Sequence, residues 1–324
     1  MTSTAIGFVG LGNMGGRITR VLVDSGQPVL GYDLAADRVR AAGAEPAESP
    51  SAVAAATDLV LLSLPDSTVV EQVVLGGGGL MDALRAGQVV VDLSTASPDS
   101  TRRISARLSE LGVGYLDAGI SGGAAAAEKG ALTLMVGGPP SALETARPVL
   151  EVISAHIFHC GDSGAGHTTK LLNNFLNAVS LAATAEVMVA GKKAGLDLEV
   201  LLDVINHSSG VNYATQNRFP KIIRGDYLKG GLSNTLMLKD VILYTELLGR
   251  LGVVGLNASG PAASFGLARA LGYADQISNT VVDALGDISG GVRLYDRPKA
   301  RNDHTELARW VLGVSAPGDD RTGK

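Results

Sequence analysis

The residue types best suited to chemistry lie together in Gly161-x-x-Gly164-x-Gly166-x-x-x-Lys170-x-x-Asn173-Asn174. On a helix, Lys170 shares a face with Asn173 and Asn174 at i+3 and i+4, so an ammonium and two amides could converge on one small polar ligand. A lysine exchanges protons near neutrality only where burial or neighbouring cations lower its reference pKa of about 10.4. The alternative is a solvated helix-surface lysine, the ordinary situation for that residue. The glycines ahead of Lys170 would admit a cofactor or another domain.

A second constellation is Gly10-Leu11-Gly12-Asn13-Met14-Gly15. It follows the strand-like Ile6-Gly7-Phe8-Val9 and opens an apolar-periodic stretch through Ile18, Val21 and Leu22, the setting of a dinucleotide-binding turn. Gly10 would make the turn. Gly12 would let a pyrophosphate approach backbone N–H groups at the positive helix end, and Gly15 would let helix and strand pack closely. Asp33, 21 residues after Gly12, is placed to accept from a ribose 2′-hydroxyl and would repel a 2′-phosphate. No arginine follows it directly, so NAD is expected over NADP; the competing reading of Asp33 is a helix-capping aspartate. Leu64-Pro65-Asp66 and Leu93-Ser94-Thr95 end two further strands and read equally as ligand loops or as plain turn chemistry. His156, His159 and His167 have no carboxylates or thiolates at metal-ligand spacing, so no metal is expected and structural or solvent roles are.

The elements that must position these residues come in two styles. Short runs rich in Val, Ile and Leu (6–9, 29–32, 59–64, 89–93, 114–120 and 132–136) alternate with amphipathic stretches, the pattern of buried strands in βα units. Ser97-Pro98-Asp99 predicts a helix start. From His167 the pattern turns to long helices, over about 167–194, 197–206, 235–251 and 260–271. The first is long enough to bridge two units, with Lys192, Lys193 and Gly195 as its stop. The fold class is therefore α/β: an N-terminal Rossmann-type doubly wound sheet (1–163), an all-α C-terminal domain (164–292), and a polar extension (293–324) with one short helix near 303–312.

Composition narrows the function. There are 42 glycines in 324 residues, about twice the usual share of roughly 7%, which favours tight turns and close backbone approach. A net charge of -5 without a basic cluster excludes a nucleic-acid partner. No run reaches the roughly 18 apolar residues of a membrane span, and no signal peptide is apparent. The single cysteine, Cys160, gives no sign of an oxidising compartment, so a cytoplasmic protein is expected. Long apolar helices imply a homodimer or homotetramer.

Taken in order, the motifs Gly7 to Gly15, Leu64-Pro65-Asp66, Val91 to Pro98, Asp117 to Gly123, Gly161 to Asn174 and Leu238-Lys239-Asp240-Val241 resemble those of the β-hydroxyacid dehydrogenases. The resemblance covers about Ile6 to Asp283. It implies an NAD(P)-dependent oxidoreductase acting on a small 3-hydroxy acid or its semialdehyde, with an active site in a cleft and Lys170 as general acid and base. By the same resemblance Ser121, Gly122 and Gly123 would hold the substrate carboxylate and Asn174 would orient the substrate. Gly10, Leu11, Gly12, Asn13, Met14, Gly15, Asp33, Leu64, Pro65, Thr95 and Lys239 would contact the cofactor, with Asp240 holding Lys239. Gly119 stands where the family usually has proline, and Ala126 and Ala131 where glycine and threonine are common, which implies a differently shaped carboxylate loop. Ser208 to Tyr213 would close the pocket. An imine reductase would share the fold but lacks a lysine at this position. A non-catalytic NAD-dependent interaction protein would not need the lysine face.

Overall fold

The computed structural model describes residues 5–228 and 231–295. They form two compact units that divide at Asn173/Asn174. The first unit holds an eight-stranded sheet: β1 (Ile6–Val9), β2 (Val29–Tyr32), β3 (Glu45–Pro46), β4 (Leu59–Leu62), β5 (Val89–Asp92), β6 (Gly114–Ser121), β7 (Leu132–Gly137) and β8 (Ser154–Gly161). Their order is β3-β2-β1-β4-β5-β6-β7-β8. Chain direction along the sheet reverses its crossover at β1, which places the C-terminal ends of β1 and β4 at a topological switch point.

Side chains alternate across this sheet with period two. Ile6, Phe8, Leu59, Leu61 and Val91 face one apolar layer, and Val9, Val60, Leu62 and Val90 face the other. The covering helices are α1 (Gly15–Asp24), α2 (Ala36–Ala41), α3 (Pro50–Ala56), α4 (Ser67–Leu75), α5 (Pro98–Ser109), α6 (Gly123–Ala127) and α7 (Pro140–Ile153). Pro98 takes the first position of α5, as its punctuation predicts.

Three features depart from the parallel sheet read in the sequence. β7 runs antiparallel to β6. Only residues 122–131 join them, and a parallel partner needs a crossover of about a dozen residues or more. β3 is two residues long, and β8 is a largely exposed strand whose His156, Phe158 and His159 carry no apolar alternation, so periodicity does not reveal either.

α8 (Ala165–Lys193) carries the chain across the boundary between the units; its 29 residues extend about 43 Å at 1.5 Å per residue. Lys192 and Lys193 lie in its last turn, and Gly195 adopts φ +77° just beyond. The second unit continues with α9 (Leu198–Asn206), α10 (Tyr213–Asn217), α11 (Phe219–Ile222), α12 (Asn234–Leu251), α13 (Ser259–Ala268) and α14 (Val281–Ile288). Asp197 caps α9 by accepting from the N–H groups of Glu199 and Val200. Leu294 and Tyr295, read in the sequence as the start of a polar extension, are buried in this unit's core. The short helix expected near 303–312 lies outside the described residues. No helix among the described residues is long and apolar enough to cross a membrane.

Candidate active site

The glycine loop occupies the switch point. Gly10 adopts φ +89°, and a Cβ there would come within 2.4 Å of the Ser63 carbonyl oxygen after β4. A Cβ on Gly15 would lie 1.9 Å from the Gly10 carbonyl oxygen, so this glycine lets α1 seat against the turn. At Gly12 nothing lies within 4 Å of the same position, leaving room for a ligand to approach the backbone. No side chain caps α1, so its N-terminal N–H groups and the positive end of its dipole are left for an anion. These residues fit a dinucleotide pyrophosphate.

Asp33, just past β2, fastens this loop. Its Oδ2 accepts from Leu11 N–H at 2.8 Å and its Oδ1 from Ala35 N–H at 2.9 Å. It is therefore a loop anchor and not the cap of α2, whose N-cap is Ala35. An arginine also reaches it: Arg38 Nη1 lies 3.4 Å from Asp33 Oδ1, because the first turn of α2 folds that side chain back. A carboxylate has about four lone-pair sites, so the ribose-acceptor role stays open to it. Leu64 donates its N–H to Ser94 Oγ at 2.9 Å, joining the loops after β4 and β5, while Asp66 caps α4 through Val69 N–H. Pro65 is exposed and Thr95 half-buried in these loops.

Lys170 is 8% exposed, which removes the solvated-surface reading. Its stem lies on β6: a Cβ added to Gly119 would come within 2.5 Å of Lys170 Cβ and 2.9 Å of its Cγ. Gly119 itself sits in regular pairing with Met135 of β7, so its replacement of the family's proline leaves an ordered strand that admits the lysine. Ser121 closes the same strand two residues on, and exposed Gly122 and Gly123 lead into α6, which has no side-chain cap. Gly122 at φ +121° and Gly123 at φ +66° give this turn a backbone conformation that favours glycine.

The start of α8 is fixed by a residue that sequence spacing does not single out. Fully buried Asp117 of β6 accepts from Gly164 N–H through Oδ1 and from His167 N–H through Oδ2, both at 2.8 Å, placing a negative charge at the helix's positive end. Gly164 and Gly166 pack within the first unit: a Cβ on Gly164 would meet Arg102 Nη1 at 2.9 Å and the Pro98 carbonyl oxygen at 3.2 Å. A Cβ on Gly166 would meet the carbonyl oxygens of Asp117 and Met135 at 2.2 and 2.4 Å, so this glycine lets the helix start rest on the sheet. His167 is wholly buried and shares a 2.7 Å hydrogen bond between its Nδ1 and Thr101 Oγ1. Beside it, Tyr115 donates to Asp92 Oδ2 at 3.0 Å, and burial, then Asp92, pushes the Tyr115 pKa well up. Among the described residues no group of three or more His, Cys, Asp or Glu is arranged to hold a metal.

Within the second unit, Asn174 is 5% exposed and donates Nδ2 to Asp240 Oδ2 at 2.5 Å. Lys239 Nζ lies 3.2 Å from the other oxygen, Asp240 Oδ1. Asp240 is thus a hub for Asn174 as well as for the Lys239 that the family resemblance assigns to it. Next to Asn174, Phe175 stacks on Tyr244 with ring centroids 3.8 Å apart, locking α8 to α12. Asn173 is exposed, so one amide and not two accompanies Lys170. Asn212 of the pocket-closing stretch is a helix cap, accepting from Ala214 and Thr215 N–H.

This fold, its open glycine loop and its uncapped helix define a Rossmann-type dinucleotide-binding protein. Residues 5–161 match the family profile described as the NAD binding domain of 6-phosphogluconate dehydrogenase, and residues 164–285 that described as NAD-binding of NADP-dependent 3-hydroxyisobutyrate dehydrogenase. The chain is 38% identical to the 2-(hydroxymethyl)glutarate dehydrogenase of Eubacterium barkeri, over 89% of this chain and 97% of that one. It is 40% identical to an NAD-dependent L-serine dehydrogenase of Pseudomonas aeruginosa, over 74% and 84%. A Mycobacterium tuberculosis 3-hydroxyisobutyrate dehydrogenase structure with L-serine superposes with a TM-score of 0.79 at 33% identity, covering 88% of this chain and 99% of that one. The chain belongs to the β-hydroxyacid dehydrogenase family.

Proposed function

We propose that this enzyme moves a hydride between NAD and the hydroxyl-bearing carbon of a small 3-hydroxy acid, with Lys170 exchanging the hydroxyl proton. The observation that carries this reading is the buried lysine whose stem lies against Gly119, on the strand that ends at Ser121. Three relatives support the substrate class, since 2-(hydroxymethyl)glutarate, L-serine and 3-hydroxyisobutyrate each carry a hydroxyl β to a carboxylate.

Bound NAD supplies the hydride acceptor. The chain's own residues do the rest. The N–H groups around Ser121, Gly122 and Gly123 bind the substrate carboxylate and fix its register on β6. Asn174, held by Asp240, turns its Oδ1 to the hydroxyl and orients it. Lys170 takes that proton in oxidation and returns it in reduction, compensating the charge that develops on oxygen. Holding the reactants in one geometry lowers the barrier by roughly 7–11 kcal/mol. Lys239, paired with Asp240, is the residue that the family resemblance assigns to the cofactor. Asp33, Leu64, Pro65 and Thr95 bind the nucleotide, Asp33 favouring the ribose hydroxyl over a 2′-phosphate.

We read the enzyme as cytoplasmic and as a homodimer or homotetramer. The stripe of exposed Leu172, Leu176 and Val187 on α8 supports assembly. A panel of small 3-hydroxy acids and their semialdehydes, each with NAD and NADP, followed at the nicotinamide absorbance, tests the reading. Turnover of 3-hydroxy acids with NAD is expected, shifting toward NADP in Asp33→Ala. Silence across the panel refutes the activity, and faster wild-type turnover with NADP refutes the cofactor assignment.

A further inference from the structure

Arg218 precedes α11 in the second unit, and among the described residues its guanidinium meets neutral acceptors. Nη1 donates to Asn279 Oδ1 at 2.7 Å and Ser278 Oγ at 3.3 Å, and Nη2 donates to Asn177 Oδ1 at 3.1 Å. Among the described residues no carboxylate lies within 4.0 Å of it. Burial is the largest influence on this group and pushes its pKa down. Arg293 of the same unit shows the ordinary arrangement: it pairs with Asp283 and Asp287, and its pKa is raised. Arg218 is half-buried, and a partly desolvated cation without a counter-ion among the described residues is an arrangement that an arriving anion relieves.

The position of Arg218 indicates where that anion belongs. Its partner Asn177 stands seven residues after Lys170 and three after Asn174 on α8. At 100° per residue the three fall within about 60° of one another, on a single face of the helix. Along the axis Asn177 lies about 4.5 Å beyond Asn174. A hydroxyl held at Lys170 and Asn174 would therefore leave only a few carbon atoms to the guanidinium. A planar fork with fixed donors matches a carboxylate.

We infer that Arg218 binds a second carboxylate at the distal end of the substrate, so that the preferred substrates are dicarboxylic 3-hydroxy acids. This rests on the proposed hydroxy-acid activity. The test compares a 2-hydroxymethyl dicarboxylic acid with the 2-hydroxymethyl monocarboxylic acid of equal chain length and a phosphate-terminated analogue, for the wild type, Arg218→Lys and Arg218→Gln. The expected result is a wild-type kcat/KM ratio favouring the dicarboxylic acid by about 10- to 100-fold, the range for a hydrogen bond to a charged group. That ratio should collapse toward one in Arg218→Gln and be partly kept in Arg218→Lys. Because the ratio is taken within each variant, loss of folded protein does not alter it. Competitive inhibition of the wild type, tighter with glutarate than with butyrate, reads the same preference without any substitution. A wild type that prefers the monocarboxylic or phosphate-terminated acid, or a ratio unchanged in Arg218→Gln, overturns the inference while leaving the activity intact. Silence with every hydroxy acid would instead overturn the activity itself.

Discussion

Replacing Gly119 with alanine perturbs the lysine while leaving its own chemical structure unchanged. The added Cβ would begin 2.5 Å from Lys170 Cβ and 2.9 Å from its Cγ, whereas ordinary carbon contacts lie at about 3.5–4.0 Å. The two must separate by about 1 Å. Gly119 is held in β6 by pairing with Met135, and α8 is anchored at its start by the two Asp117 hydrogen bonds. Both backbones resist, so the lysine side chain takes much of the displacement. Overpacking of this kind costs about 1–3 kcal/mol of stability, which a domain of this size tolerates. A misplacement of about 1 Å at a reacting group costs about 100-fold in rate. The expected outcome is a folded protein with unchanged NAD affinity by fluorescence titration and kcat reduced about 100-fold in a steady-state hydride-transfer assay. A kcat within about threefold of wild type would refute the claim that the Lys170 stem is positioned by this strand.

Two more predictions follow from the second unit. Asp240→Ala removes the hydrogen bond to Asn174 and the ion pair to Lys239, and this loss should lower kcat/KM about 10-fold or more, with no change in secondary structure by circular dichroism. Tyr227 donates to Asp283 Oδ2 at 2.5 Å, and burial, then Asp283, raises its pKa above the usual tyrosine value of about 10. Its folded state holds the proton more tightly than its unfolded state, so its contribution is full below about pH 10 and drains as pH rises through the folded value. Melting temperature should therefore fall above about pH 10 in the wild type and fall less steeply in Tyr227→Phe; equal slopes would contradict this.

Much of the nucleotide half is legible in the sequence because its physics is local. A turn glycine, an open glycine and a packing glycine occupy fixed offsets from a strand, and the structure gives Gly10, Gly12 and Gly15 those separate surroundings. The α8 face is legible too, since helical spacing alone aligns Lys170 with Asn174. What spacing does not carry is tertiary. Asp117 lies 47 residues before Gly164, and the Asn174–Asp240 bond joins residues 66 apart. Gly166 looks in the sequence like room for a ligand, yet it makes room for β6 and β7, and Gly164 for α5, because a sequence shows that a site needs closeness without showing to what. Arg38 returning to Asp33 and β7 running antiparallel are likewise settled by short connections, whose geometry overrides the repeating pattern around them.

The central claim is that the Lys170 ammonium performs the proton transfer. Lys170→Ala, assayed for hydride transfer to NAD and in parallel for NAD binding, tests it most directly. The account predicts a loss of turnover of about 10³-fold or more with nucleotide affinity unchanged. Turnover within a few-fold of wild type, with NAD bound as before, would contradict it.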